Sequence, residues 1–237
     1  GWYWLGERTS SNWSTDELSQ IDDIINSGLR QFYHPAPGGL APKGYKWSFM
    51  EPVTTLSTVA GTKDYTLSAN FGGMIGIATY ATSDDRWSPI ETTGEARIRL
   101  LRQRDSGSEQ SDPRFMAIRP KSSDGSNGQR FELMLWPTPD QAYTISYRYH
   151  ALPVKLTTGN PYPLGGEAHA ETILASCLAV AEARQENNAG IHAANFMQRL
   201  QASIAYDKQI HTPDVAGYNR DASDTVMMTE QDNRYVN

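Results

Sequence analysis

The chain has 237 residues, a mass of 26.4 kDa, a formal net charge of -6 and one cysteine. At that size it should bury about 70% of the surface its unfolded form exposes, so one or two cores are expected without disulfide staples. The acidic balance argues against a protein whose main task is gripping phosphate backbone, though DNA that slides past is allowed, and no apolar run approaches the ~20 residues that cross a bilayer.

The N-terminal stretch GWYWLGERTS has neither the cationic segment nor the apolar run of a secretory signal. Synthesis in the cytosol and no membrane partner are expected. The first element opens at Ser14-Thr15-Asp16-Glu17, a capping box in which Ser14 and Glu17 each satisfy a free N–H. Leu18, Ile21, Ile25, Leu29 and Phe32 then recur at helical spacing, which predicts an amphipathic helix over 14–33. HPAPGG at 34–39 ends it.

From Tyr45 to Ala81 the period changes to two, and YKWSFMEPVTTLS and KDYTLSANFGGMIGIATYA read as strands. Residues 94–104, GEARIRLLRQR, fit both periods; a short helix is expected. Its Arg97, Arg99, Arg102 and Arg104 form the chain's basic cluster. They read as a solvated face or as ion-pair donors between subunits, with contact to passing DNA as the sharper alternative.

Two polar tracts, 105–112 and 121–129, flank a predicted strand at 115–118. Gly125-Ser126-Asn127-Gly128 belongs to the second and reads as a turn, not a phosphate cradle. Residues 131–150, FELMLWPTPDQAYTISYRYH, predict a hairpin bent at Pro137, Pro139 and Asp140. Past the bend, Tyr143, Ile145, Tyr147 and Tyr149 share one side of a strand, while Thr144, Ser146, Arg148 and His150 share the other. The first side is built for packing and the second for water or a partner.

Two helices follow, over 166–185 and 189–209, joined by ENNAG. Ile173, Leu174, Cys177, Leu178 and Ala181 mark one apolar stripe, and Ile191, Ala194, Phe196, Leu200 and Ile204 the next. An antiparallel pair packed on the first helix is expected. Cys177 reads as a small buried hydrophobe, with no base or metal partner near it in sequence. The last stretch, 211–237, has no amphipathic period and carries five acids against two arginines. Alone it should be extended or disordered, yet Val226-Met227-Met228 and Tyr235-Val236 are apolar for a solvating tail and suit docking on another surface.

Catalytic spacings are missing: no G-x-x-x-x-G-K-[ST], H-E-x-x-H, C-x-x-C or G-x-S-x-G occurs. Glu167, His169 and Glu171 cluster at a helix start. Residues two apart point in different directions there, and acids near an N-terminus answer the helix dipole, so a structural role is favoured over metal or acid–base work. Asp64, Asp84, Asp85 and Glu91 are merely eligible for a carboxylate pair, which spacing cannot identify. No enzyme activity, cofactor or metal is expected.

The order of these parts carries a resemblance. The N-terminal amphipathic helix, Trp47 and Phe49 followed by Thr55-Leu56, Asp64-Tyr65 leading into Phe71-Gly72, and LWPTPD…YTISYRY at 135–149 before a helical region resemble head-to-tail adaptor proteins of tailed bacteriophages. The nearest are the tail-tubular or gatekeeper-type connectors of short-tailed phages. The likeness covers 14–210, and residues 82–128 form an insertion larger than a minimal adaptor needs.

The resemblance implies a structural virion protein at the head-to-tail interface, made in the bacterial cytoplasm. It implies a ring of about twelve copies beneath the portal protein, holding a tail nozzle or tail-tube protein and extending the DNA channel without reading sequence. The portal-docking arm would use Tyr218, Val226, Met227, Met228 and Tyr235; Arg97, Arg99, Arg102, Arg104 and Arg148 are candidate subunit or channel contacts. The expected fold is α+β: a helical bundle of 14–33 and 166–210, an inserted antiparallel β-rich domain over 45–150, and an extended C-terminal arm, 211–237. A cell-wall-degrading enzyme with a carboxylate pair and a carbohydrate- or protein-binding tail module are the rival functions.

Overall fold

The computed structural model describes residues 13–36, 45–81, 88–105, 109–121, 128–186 and 190–210. Helix α1 (Thr15–Tyr33) starts at the predicted capping box, with the Ser14 hydroxyl accepting from Glu17 N–H and the Glu17 carboxylate accepting from Ser14 N–H. A 3-10 turn, Ser48–Met50, leads to β1 (Val53–Ser57), β2 (Asp64–Thr66), β3 (Phe71–Tyr80) and β4 (Glu91–Thr92). Helix α2 (Glu95–Arg104), β5 (Phe115–Lys121), β6 (Arg130–Trp136) and β7 (Thr144–Ala151) follow, and helices α3 (Ala170–Glu186) and α4 (Ile191–Ile210) close the described chain. The fold is α+β, and residues 94–104 resolve as helix because Ile98 is fully buried against Ala117 and Met134 on the outer face of a sheet.

The strands form two sheets, β1-β7-β3 and β2-β6-β5-β4, with antiparallel pairs throughout except β4 and β5. They enclose one apolar core between them. Tyr143, Ile145, Tyr147 and Tyr149 fill it from one side, and Met116, Leu133 and Leu135 belong to the same cluster. The alternation past the bend thus had the faces right, but its partner wrong. Residues 131–150 are not a hairpin: β6 pairs with β2 and β5, while β7 pairs with β1 and β3. The WPTPD segment, whose Trp136–Pro137 bond is cis, crosses from one sheet to the other. A period of two sets which side a residue faces and says nothing of which strand lies alongside.

The second core is helical. α3 lies between α1 and α4, and Leu29, Phe32, Ile173, Phe196, Leu200 and Ile204 pack together there. α3 and α4 run antiparallel, since Thr172 near the start of α3 meets Ser203 near the end of α4. The close approach of α1 to α3 needs Gly28, where a Cβ would lie 2.7 Å from the Cys177 backbone and sulfur. Three expected stripe residues, Leu174, Ile191 and Ala194, instead face solvent. Trp47 and Phe49 are corrected too: they are not in a strand, but in and beside the 3-10 turn, where both rings join the helical core.

Candidate assembly interface

The chain passes between the two cores twice, at Glu51–Pro52 and through 152–166, and the helical side of the first crossing is built from polar side chains against rings. Trp47 Nε1 donates to the Phe32 carbonyl at 3.1 Å, and its ring stands 4.6 Å from that of Phe32. Asp207, buried on α4, accepts from the Tyr45 hydroxyl at 2.7 Å, from the Ser48 N–H at 3.0 Å, and from the Ser48 hydroxyl. Burial first, and then that carboxylate, push the Tyr45 phenol well above its ordinary range.

His169 is 3% exposed among Phe32, Trp47, Phe49 and Tyr206, with Nδ1 unpartnered among the described residues. Burial lowers its pKa, opposed by the charge of Asp207. Glu167 and Glu171 stay exposed, and Glu171 pairs with Arg199 at 3.3 Å. The three groups at this helix start are therefore not brought together.

The arginine helix is divided in its uses. Arg102 turns inward and binds the Asp64 carboxylate and the carbonyls of Lys63 and Leu135, each at 2.9 Å, stapling α2 to the sheet beneath. Arg99 pairs with Glu95 at 2.8 Å, Arg97 lies 4.7 Å from the Phe115 ring centroid, and both stay exposed with Arg104. Such exposed pairs add little to stability, so these cations remain open to a partner. Arg148 is held inside the subunit by the Glu51 carboxylate at 3.0 Å and its carbonyl at 3.1 Å. Beside it on the strand, burial and Lys46 lower the pKa of His150.

Of the eligible carboxylates, Asp64 is committed to Arg102, Glu91 is exposed, and Asp84 and Asp85 lie outside the described residues. Among the described residues no group of His, Cys, Asp or Glu could hold a metal ion. Cys177 is half-buried with its pKa raised to about 11 by burial. The residues expected to dock on a portal, Tyr218, Val226, Met227, Met228 and Tyr235, lie outside the described residues.

Asp207 and Glu182 escaped the sequence reading. Asp207 looks like an ordinary surface acid of a helix end, and its partners stand about 160 residues away. Glu182 accepts from the N–H groups of Gly190, His192 and Ala193 and so caps α4 from α3. Its one signal was an acid set among alanines just before the ENNAG connection.

Large apolar side chains are more than half exposed on both halves, among them Leu174, Ile191, Met197 and Ile210 on the helices and Val53, Val59, Ile77 and Leu100 on the β-rich part. No helix among the described residues is long and apolar enough to cross a membrane. A family model described as SU10 adaptor protein matches residues 3–222. No curated protein matches the chain.

Proposed function

This chain belongs to the SU10 adaptor protein family and is a structural head-to-tail adaptor of a bacteriophage virion, and from that premise we propose that its copies close into a ring joining the portal to the tail. The ring has about twelve members, belongs to a short-tailed phage, and extends the DNA channel. The helical part, 14–33 with 166–210 and the 45–50 segment packed on it, meets portal and neighbours; the β-rich part, 53–151, projects towards the nozzle; the arm, 211–237, grips the portal. The rim arginines Arg97, Arg99 and Arg104 serve neighbouring copies, while Arg102 and Arg148 act through the shape they hold. A net charge of -6 suits a channel that repels phosphate and lets DNA slide.

The observation that carries the ring reading is the uncovered apolar set on the helical half, with Ile191 at 70% and Ile210 at 57% exposure. The core of a protein–protein interface is apolar, so these side chains are candidates for cover by a neighbouring copy or the portal. Sedimentation of the protein alone and with the portal protein of the same genome tests it. A ring-sized complex that is lost on deleting residues 211–237 supports the reading. No complex, with a stable trimer in isolation, would move it to a tail-fibre binding module.

A further inference from the structure

Among the described residues one sheet edge stands open. There β1 pairs only with β7, in the register Val53 to Arg148 through Ser57 to Thr144. Tyr149 N–H donates to the Pro52 carbonyl and Thr58 N–H to the Tyr143 carbonyl, so the residues that exchange bonds with β7 are 52, 54, 56 and 58. In an antiparallel ladder the alternate residues then turn their backbone groups outward. Val53, Thr55 and Ser57 therefore present three N–H and three C=O groups with no backbone partner among the described residues.

Edges are usually blunted by bulges, prolines, lysines or brevity. β3 is blunted by register breaks at Phe71/Gly73 and Ile75/Thr79, and β2 and β4 are three and two residues long. β1 has five regular residues, no lysine and no proline, and Val53 on it is 68% exposed. Among the described edges it alone is a ready template for another strand.

The chain supplies a segment of matching length and character. Residues 225–229 read TVMMT, with no charge, glycine or proline, between Asp224 and Glu230. The described chain ends at Ile210, one turn past Asp207, and Asp207 holds Ser48, five residues before Val53. Residues 211–224 can span up to about 45 Å, so the segment reaches this edge with slack.

We propose that in the isolated subunit residues 225–229 add to the free edge of the subunit's own β1 as a fourth strand of that sheet. With Met227 opposite Thr55, period two lays Val226 and Met228 on the core side beside Thr54 and the half-buried Leu56, extending the core over its rim. The same three residues are the ones assigned to portal docking, so the seat stores them until the portal competes for them. That purpose rests on the proposed function, but the seat itself is tested on the subunit alone, so its failure and a failure of portal binding are separate results.

The test uses the full chain. With Cys177→Ala as background, Thr55→Cys and Met227→Cys should form an intrachain disulfide under mild oxidation, whichever way the added strand runs. Thr55→Cys with Asn233→Cys is the control and should not. In the chain with its native cysteine, amide exchange at residues 53, 55 and 57 should be at least about tenfold slower than in a Met227→Pro variant, which cannot complete the ladder. Equal exchange in both, equal cross-linking in the control, or cross-links only between chains would each overturn the proposal.

Discussion

The Asp207 carboxylate and the Ser48 backbone, 159 residues apart, are joined at 3.0 Å, and the same carboxylate takes the Ser48 and Tyr45 hydroxyls. This contact fixes the end of α4 to the segment that leads into β1. Removing it as Asp207→Ala strips three donors of one charged acceptor and should cost about 3 kcal/mol or more, while Tyr45→Phe, losing one bond, should cost about 1–2 kcal/mol. Urea unfolding measures both. A loss below about 0.5 kcal/mol for Asp207→Ala would mean the joint does not hold the end of α4.

Tyr147 is 5% exposed in the sheet core, and its hydroxyl makes no hydrogen bond to the described residues. Tyr147→Ala should therefore lose about 3–4 kcal/mol through the cavity, and Tyr147→Phe should stay within about 1 kcal/mol of the parent. If the two variants melt together, packing is not what this ring supplies.

Acid should loosen the molecule through two histidines. Burial lowers the pKa of His169 and of His150 below the ordinary 6.5. As pH falls through 6.5 the unfolded chain binds protons that the folded chain refuses, so the stability held by neutral histidine is complete above that pH and is lost as pH drops towards the folded values. His169→Gln with His150→Gln should flatten the dependence of the melting temperature between about pH 6.5 and 5. An unchanged slope would assign the acid limb to carboxylates.

Cys177 should be silent to thiol reagents while the chain is folded. With its pKa raised to about 11, roughly a thousandth of it is thiolate at pH 8, and its sulfur lies against the Ile25 carbonyl at 3.7 Å. Iodoacetamide should label it only as fast as α3 leaves α1. Gly28→Val, which forces that separation, should speed labelling by at least about tenfold relative to the parent. Fast labelling of the parent would contradict the packing.

Much of the fold could be read from single residues whose signal is local. Ser14 and Glu17 announce a helix start because the bonds they make span three residues, and the tyrosines of β7 announce a buried face because strand geometry alternates. The resemblance carried on Trp47, Phe49 and the LWPTPD segment pointed to the right family although the secondary structure around both was misread. Trp47 looked like strand because aromatic rings favour strands, and the helical core claimed it. The assembly site was least legible. Arg102 and Arg104 are alike on paper, and what separates them is Asp64, far off in the chain and next to only one of them.

The two crossings between the cores enter the sheet side by side. β1 begins and β7 ends at the same end of their shared ladder, with Val53 opposite Arg148 and Glu51 tied to Arg148 across the entry. A force that draws the helices away from the sheets thus pulls both strands lengthwise in one direction. β7 is then dragged along β3, where backbone bonds must yield together instead of one at a time. The linkage resists tension as a doubled tether, a useful mechanical property in a structural part of a virion.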